Sequence, residues 1–143
     1  MTIKISLDEW PVQKEQARKV RMAVFVIEQK VPIELEWDEM DAHCIHALAT
    51  DENGTVVGTG RLLPDGHIGR MAVLASARGL GVGALLLQSL MRAGQQRGDK
   101  RAVLSAQRQA EGFYKRYGFQ AFGEEYMEAG IPHINMEHVY SIS

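Results

Sequence analysis

The segment that most constrains this chain is a glycine-rich stretch directly in front of a helical pattern. It reads Arg78-Gly79-Leu80-Gly81-Val82-Gly83. The N-terminus of a helix carries unpaired backbone N–H groups and a positive partial charge. Glycines let an anionic group approach that backbone closely and accept unusual φ values. The stretch therefore predicts a phosphate-binding loop, with Arg78 as a mobile positive charge at its rim.

The loop by itself does not select the ligand. Its residues also satisfy the loose dinucleotide pattern G-x-G-x-x-G/A in Gly79-Leu80-Gly81-Val82-Gly83-Ala84, which is a weak signal. A dinucleotide-binding loop follows its strand at once, whereas four residues, 74–77, intervene here. The chain has no Gly-Lys-Ser/Thr, which excludes a P-loop nucleotide site. A nicotinamide-dependent oxidoreductase and a helix entry without a ligand both stay open at this point.

The first half of the chain predicts a strand, a helix and a meander. Ile3 and Ile5 alternate with polar residues, which indicates a strand, and apolar residues at helical spacing predict a helix over ~11–28. The apolar positions of that helix are Val20, Ala23, Val24 and Ile27. Strand patterns then fill residues 44–73, with turns at Asn53-Gly54 and at 64–66, so this region predicts three antiparallel strands.

The second half alternates helices with strands. A helix follows the glycine-rich loop and ends at Gly98. Its predicted buried stripe is Val82, Leu85, Leu86 and Leu90. Residues 101–106 form a strand, parallel to the strand before the loop if the crossover is right-handed. A helix over ~109–117 and strands over 119–122 and 134–140 complete the chain.

The element order is thus β-α-βββ-α-β-α-ββ, an α/β protein (α+β by some labels). It implies a mixed, largely antiparallel central sheet flanked by helices. A length of 143 residues suits one domain over 1–143. No stretch approaches the ~20 apolar residues of a membrane span, and the N-terminus lacks the apolar region of a signal peptide. With Cys44 as the single cysteine and a net charge of −2, we expect a buried thiol and a cytoplasmic protein without nucleic-acid partners.

Two spaced motifs resemble the GCN5-related N-acetyltransferase (GNAT) superfamily. The first, Arg78-x-x-Gly81-x-Gly83 after a strand that ends in Arg70-Met71-Ala72-Val73, resembles the arm of that family that binds pyrophosphate. The other motif is similar to the family's signature in the last part of the domain, Gln107-x-x-Ala110-x-x-Phe113-Tyr114-x-Arg116-x-Gly118-Phe119. The family more often has Asn where Gln107 stands and Lys where Arg116 stands. The derived order of elements is also the family's order.

Two further strings resemble the ElaA-like branch of this superfamily. They are Arg21-x-x-Val24-Phe25-Val26-x-Glu28-Gln29 and Tyr126-x-Glu128-x-Gly130-Ile131-Pro132-His133-Ile134-x-Met136. The resemblance implies an acyltransferase with acetyl-coenzyme A as donor and an amine as acceptor, and homodimers are common in the family. The residues that it implies for donor binding are Met71, Ala72, Val73, Arg78, Gly79, Gly81, Val82, Gly83, Ala84, Gln107 and Arg116.

Tyr114 takes the family's general-acid position. An unperturbed tyrosine has a pKa near ~10 against ~8.5 for a thiol, so its hydroxyl stays protonated until a thiolate leaves. The alternative is an aromatic core residue on a helix. Aminolysis also needs a proton acceptor. Chemically suitable candidates are Glu28, Glu36, Asp38, His67 and His133, and a water chain or the substrate itself would need no residue.

His133 is the residue that we expect in the acceptor site. Pro132 restricts the backbone before it, Gly130 permits a sharp turn, and an imidazole titrates near neutrality. The first helix would supply the facing wall through Arg21 and Glu28. The alternative for His133 is a hydrogen-bonded structural imidazole.

Other roles are left open or not expected. No metal is expected, because His43-x-x-His46 is a weak ligand pattern. The acceptor stays open among small amines, amino acids, amino sugars and protein lysines. A non-catalytic module that binds acyl-coenzyme A is the alternative interpretation, which the presence of Tyr114 disfavours.

Overall fold

The fold follows the predicted order of helices and strands. A computed structural model describes residues 2–36 and 38–141, so four residues of the predicted domain over 1–143 lie outside the described residues, namely Met1, Trp37, Ile142 and Ser143. The strands and α-helices are β1 Lys4–Glu9, α1 Trp10–Arg21, β2 Ile45–Thr50, β3 Val56–Leu62, β4 Ile68–Val73, α2 Val82–Gln96, β5 Arg101–Gln107, α3 Glu111–Arg116, β6 Gln120–Glu128 and β7 Ile131–Val139.

The strands form two antiparallel sheets that meet at one point. The first has the order β1-β2-β3-β4 and the other β5-β7-β6. A parallel bridge between His67 and Val103 links the start of β4 to β5, which confirms the predicted parallel relation. No further β4–β5 pairing occurs within the described residues. The two sheets therefore part beyond this bridge and leave an opening between β4 and β5.

Helix α2 packs the core against both sheets. Val82, Leu86 and Leu90 are buried as predicted, together with Leu87. Leu85 is 39% exposed, so its prediction as a buried residue is wrong. At about 100° per residue, Leu85 and Leu87 flank the predicted stripe on opposite sides, and the buried Gly94 lies on the side of Leu87.

The predicted first helix changes its hydrogen-bonding pattern halfway. After α1 the chain continues as a π-helix over Met22–Glu28. Val20 and Val24 are buried as expected, but Ile27 is 71% exposed. The i→i+5 pattern widens the turn and rotates Ile27 off the apolar stripe. Short 3-10 helices at Ile33–Leu35 and Glu39–His43 then lead into β2.

The last hairpin begins and ends at other residues than the sequence predicted. β6 is exposed along nearly its whole length, so it lacks the apolar alternation from which a strand is recognised. A tight turn joins it to β7, with positive φ at Ala129 (52°) and Gly130 (77°). Within the described chain, none of the helices combines the length and the apolar character that crossing a membrane requires.

Candidate active site

The opening between β4 and β5 is a cavity of about 640 Å³. Four parts of the chain form its walls: the segment after α1, strand β4, strand β5 with the turn that follows it, and the β6–β7 hairpin. The lining residues that matter below are Gln29, Leu35, Glu36, Arg61, Asp65, His67, Arg70, Met71, Gln107, Tyr114, Glu128 and His133. The cavity thus brings Tyr114 and His133 together with the middle of β4.

Strand β4 presents an open edge to this cavity. Its register against β3 shifts between Thr59 and Arg61, and Arg70 opposite this shift has a φ of 49°. This geometry is a β-bulge, which bends a strand and interrupts its ladder. On the edge toward β5, the backbone of Met71, Ala72 and Val73 is not part of any ladder within the described residues. This edge can pair with the amides of an extended ligand, although the Val73 carbonyl already accepts a hydrogen bond from Arg78 Nε.

The glycine-rich loop has the geometry that an anion site needs. Gly79 and Gly81 have φ values of 81° and 80°, which other residues rarely adopt. Gly81 is the N-cap of α2, and no side chain of the described residues caps this helix end. A Cβ at Gly79 or Gly81 would meet no atom within 4 Å, so open space lies beside the backbone. Val82, Gly83 and Ala84 form the first turn, and the loop fits a pyrophosphate.

Arg78 is held by a carboxylate at the rim of this loop. Its guanidinium donates to both carboxylate oxygens of Glu28 at 2.5 and 2.6 Å, and its Nε donates to the carbonyl of Val73 at 3.1 Å. The hydrogen bond lowers the pKa of Glu28 and raises that of Arg78. Glu28 thus lies against the loop, and it is absent from the described lining of the cavity. The acceptor contact predicted for Glu28 does not fit this placement.

Gln107 closes one end of the cavity with Gln29. The Gln107 amide donates to the Gln29 side chain at 3.0 Å and accepts from Gln109 at 2.6 Å. Gln29 follows the π-helix directly, so this contact ties that segment to the end of β5. Arg116 is exposed in the last turn of α3.

Tyr114 projects from α3 into the cavity lining. Its ring makes edge-to-face contacts with Phe113 and Phe119, with centroid distances of 5.1 and 6.0 Å. Burial raises the pKa of Tyr114 to about 12. The hydroxyl is therefore neutral at physiological pH and able to donate a proton. It combines a packed aromatic ring, the alternative that the sequence left open, with access to the cavity.

His133 lines the same cavity from β7. Its ring is 7% exposed, and Nδ1 lies 2.7 Å from the carbonyl of Ile131. A carbonyl only accepts, so Nδ1 carries a hydrogen and Nε2 is the free acceptor of the neutral ring. Nε2 lies 3.4 Å from a carboxylate oxygen of Glu128. The imidazole thus has the structural hydrogen bond of the alternative interpretation, and it also faces the cavity.

A buried ion-pair network lies beneath the cavity. Arg21 is 1% exposed, and its guanidinium contacts Glu36 at 2.8 Å and Asp41 at 3.0 Å. Arg61 contacts Asp38 and Asp41, both at 2.8 Å. Arg21 is thus occupied by carboxylates of the fold, and the acceptor role predicted for it does not fit this placement.

The network also narrows the choice of general base. The Arg61 hydrogen bond lowers the pKa of Asp38 to about 2, and a carboxylate of such low basicity is a poor proton acceptor. Glu36 is buried against Arg21. His67 pairs with Asp65 at 2.9 Å and lines the cavity as His133 does. Of the five candidates, His67 and His133 are the two that line the cavity without an arginine partner among the described residues.

Arg70 and Gln29 are among the cavity-lining residues that were not predicted as site residues. Arg70 reaches the cavity because its backbone is left-handed in the β-bulge. For a residue other than glycine, this conformation cannot be recognised from the sequence. Gln29 reaches it because the π-helix ends just before it. Both positions therefore depend on local backbone irregularities that sequence patterns do not encode.

Cys44 and His46 are both buried and contact backbone carbonyls. Cys44 is buried, its Sγ lies 3.0 Å from the Met40 carbonyl, and burial raises the pKa of its thiol to about 11. His46 is buried against the Asp41 carbonyl at 2.8 Å. Among residues 2–36 and 38–141, no three His, Cys, Asp or Glu side chains gather in an arrangement that would hold a metal ion.

Two sheets that part at a bulged strand, beside a glycine-rich loop on a helix N-terminus, define the class of acyl-coenzyme A N-acyltransferases. Solved structures agree. An acyl-CoA N-acyltransferase from Pseudomonas aeruginosa matches with a TM-score of 0.87 and 31% identity, covering 96% of this chain and 100% of that chain. ElaA from Escherichia coli matches with a TM-score of 0.84 and 30% identity, covering 96% and 99%.

Sequence comparison gives the family. The model of the Acetyltransferase (GNAT) domain matches residues 12–140. The N-acetyltransferase YjcF of Bacillus subtilis is 40% identical over 128 residues, which are 87% of this chain and 91% of YjcF. ElaA of E. coli is 34% identical over 126 residues, 82% of each chain. The chain belongs to the GNAT acetyltransferase family, which makes it an acyltransferase and implies an acyl-coenzyme A co-substrate.

Proposed function

We propose that the protein transfers the acetyl group of acetyl-coenzyme A to a primary amine, by direct attack of the amine in a ternary complex. The observation that carries this proposal is the shared cavity, in which Tyr114 and His133 lie beside the open edge of β4. A proton donor, a proton acceptor and a strand edge for the donor are thereby combined in one place. The proposal uses no covalent acyl-enzyme.

Donor binding would use the backbone of two adjacent segments. The pantetheine amides would pair with Met71, Ala72 and Val73, as another strand would. The pyrophosphate would accept hydrogen bonds from the N–H groups of the loop and of the first turn of α2. Holding the thioester against this fixed edge supplies much of the rate, because the two reactants meet in one orientation. One N–H of β4 would also stabilise the developing oxyanion.

The proton transfers follow from the two side chains. The amine nitrogen attacks the thioester carbon, the bond between carbon and sulfur breaks, and the leaving thiolate takes a proton from the Tyr114 hydroxyl. The proton lost by the amine would pass to Nε2 of His133, the unprotonated nitrogen of the neutral ring, directly or through one water. His67 is the other imidazole in the cavity lining and the alternative acceptor of this proton.

The proposal is tested by mixing the protein with acetyl-coenzyme A and a panel of primary amines. Free coenzyme A thiol is recorded, and the acetylated amine is identified by mass spectrometry. We expect thiol release that depends on the amine, and calorimetric binding of acetyl-coenzyme A but not of NAD. Binding of acetyl-coenzyme A without turnover on any amine would contradict the proposal and favour a non-catalytic binding module. Binding of NAD instead would contradict both.

A further inference from the structure

We infer that the acceptor carries an anionic group, a carboxylate or a phosphate, which binds to Arg70 at the floor of the cavity. This inference rests on the proposed acetyl transfer and adds a substrate class to it. Membership of the family does not by itself specify this class of acceptor. Three features of Arg70 support it: its backbone, its incomplete set of partners and the charges on the opposite wall.

The backbone of Arg70 brings its side chain to the cavity at a conformational cost. Its φ of 49° lies in the left-handed region, which is unfavourable for any residue with a Cβ. The preceding residue, Gly69, would adopt this conformation without strain, yet the positive φ occurs at Arg70. Strained backbone of this kind persists where the surrounding structure enforces it, and it occurs often at ligand sites.

The guanidinium of Arg70 is incompletely paired. One of its terminal nitrogens contacts the Leu35 carbonyl at 3.2 Å and Asp38 at 3.4 Å, both long distances. Its Nε is buried and has no hydrogen-bond partner among the described residues. A guanidinium has five N–H donors in a planar fork that matches a carboxylate or a phosphate. Arg70 therefore retains donors for an anion that enters the cavity.

The neighbouring carboxylates are used by other cations. Asp38 and Asp41 make their short contacts with Arg61 at 2.8 Å, and Glu36 makes its own with Arg21 at 2.8 Å. Burial, together with the positive charges of Arg61 and Arg21, lowers the pKa of Arg70. Of these carboxylates, Arg70 keeps only the 3.4 Å contact with Asp38, so an anion in the cavity would give its guanidinium a closer partner.

The opposite wall has the charge that an ammonium group needs. Glu128 and His133 belong to the sheet β5-β7-β6, across the opening from β4, and the Glu128 carboxylate is half exposed. Of the other two carboxylates in the lining, Asp65 is paired with His67 and Glu36 with Arg21. An acceptor with an amine at one end and an anion at the other would thus find Glu128 and His133 on one wall and Arg70 on the other.

The inference is tested with matched pairs of acceptors. The panel contains glycine, β-alanine and γ-aminobutyrate with their primary amides, and phosphoethanolamine with ethanolamine. Values of kcat/KM are compared per concentration of neutral amine. For at least one pair we expect the anionic acceptor to be better by about tenfold or more, which is the effect of a hydrogen bond to a charged group. The carboxylate pairs and the phosphate pair show separately which of the two anionic groups the site prefers.

The Arg70→Gln variant should remove this preference. We expect the ratio of anionic to neutral acceptor to fall close to one, with unchanged affinity for acetyl-coenzyme A. Arg70→Lys, which keeps the charge but loses the fork, should retain part of the preference and covers the case in which Arg70→Gln fails to fold. Arg92→Gln, on the exposed face of α2, removes the same charge away from the cavity and should leave the ratio intact.

The outcomes separate the inference from the proposed function. Acetylation of amines with no preference for the anionic member of any pair would overturn the inference and leave the proposed function standing. A preference that survives in Arg70→Gln would also overturn it. Acetylation of no amine, while acetyl-coenzyme A binds, would overturn both.

Discussion

At the scale of single residues, the general-acid role that we propose for Tyr114 gives a clear prediction. Tyr114→Phe keeps the aromatic packing but removes the proton donor. We expect kcat to fall by about 10²–10⁴-fold, the usual effect of losing a general acid. The affinity for acetyl-coenzyme A, measured by calorimetry, should barely change, because the proton is needed only as the thiolate leaves.

Tyr117 offers a matched control for this measurement. It lies at the C-terminal end of α3 and packs against Phe113 at a centroid distance of 5.3 Å. It is not part of the described cavity lining. Tyr117→Phe should therefore keep most of its turnover. Equal losses in the two variants, or wild-type turnover in Tyr114→Phe when chemistry limits the rate, would remove Tyr114 from the mechanism.

The Glu28–Arg78 ion pair predicts a variant that binds the donor more tightly. Glu28 holds the guanidinium that the pyrophosphate needs, and it adds a negative charge near an anionic ligand. Glu28→Gln should lower the Kd for coenzyme A by about two- to fivefold, a small factor because the pair is exposed and screened by salt. Arg78→Gln should weaken binding. If Glu28→Gln raised the acceptor KM without changing the Kd for coenzyme A, Glu28 would belong to the acceptor site instead.

At the scale of elements, we propose that the glycine-rich loop and the start of α2 form one anion site. Gly83 lies within the helix, and a Cβ there would meet Phe113 at 3.6 Å and Val73 at 3.9 Å, which are ordinary contacts. Gly83→Ala should therefore fold normally. Gly83→Asp adds a negative charge where the pyrophosphate would bind, and we expect it to lose calorimetric binding of acetyl-coenzyme A while retaining the fold. Unchanged affinity in the folded Asp variant would contradict the loop assignment.

The ion-pair network joins α1, β3 and the segment over Glu39–His43. Asp41→Asn would leave Arg21 and Arg61 buried with one fewer carboxylate. We expect the free energy of unfolding, measured by urea denaturation, to fall by about 3–5 kcal/mol, the usual effect of breaking a buried ion pair. Glu15→Gln, at an exposed pair with Lys19, should have little effect. A loss in Asp41→Asn as small as that in the control would contradict this assignment.

The same network makes the free energy of unfolding depend on pH. Arg61 lowers the pKa of Asp38 to about 2. Burial opposes the shift at Asp41, but the hydrogen bonds from Arg21 and Arg61 outweigh it and lower that pKa too. Groups with a lowered folded pKa stabilise the protein above their unfolded pKa, near ~3.9 for Asp, and lose that effect as pH falls. The wild-type protein should therefore lose stability between about pH 4 and pH 2, and Asp41→Asn should show a shallower loss.

At the scale of the whole molecule, the order of helices and strands was predictable because local sequence patterns encode it. The same holds for the backbone conformation of the glycine-rich loop. Gly79 and Gly81 have positive φ where the sequence predicted close backbone approach to a ligand. The parting of the sheets was not predictable, because it depends on strand pairing over long distances. The partners of Arg21 could not be inferred from its position either, since Glu36 and Asp41 become its neighbours only when the loop folds back. Arg70 was not predicted as a site residue, because its residue type does not indicate a left-handed backbone conformation.

The central claim is that the acetyl group passes directly from the donor to an amine within this cavity. A single-turnover experiment tests it: protein preloaded with acetyl-coenzyme A is mixed with an acceptor amine, and free thiol, acetylated amine and intact protein mass are recorded over time. We predict that thiol and acetylated amine appear at the same rate and that the protein is never acetylated. Acetylated protein that forms before the amine is added, or thiol release that does not depend on the amine, would contradict the account.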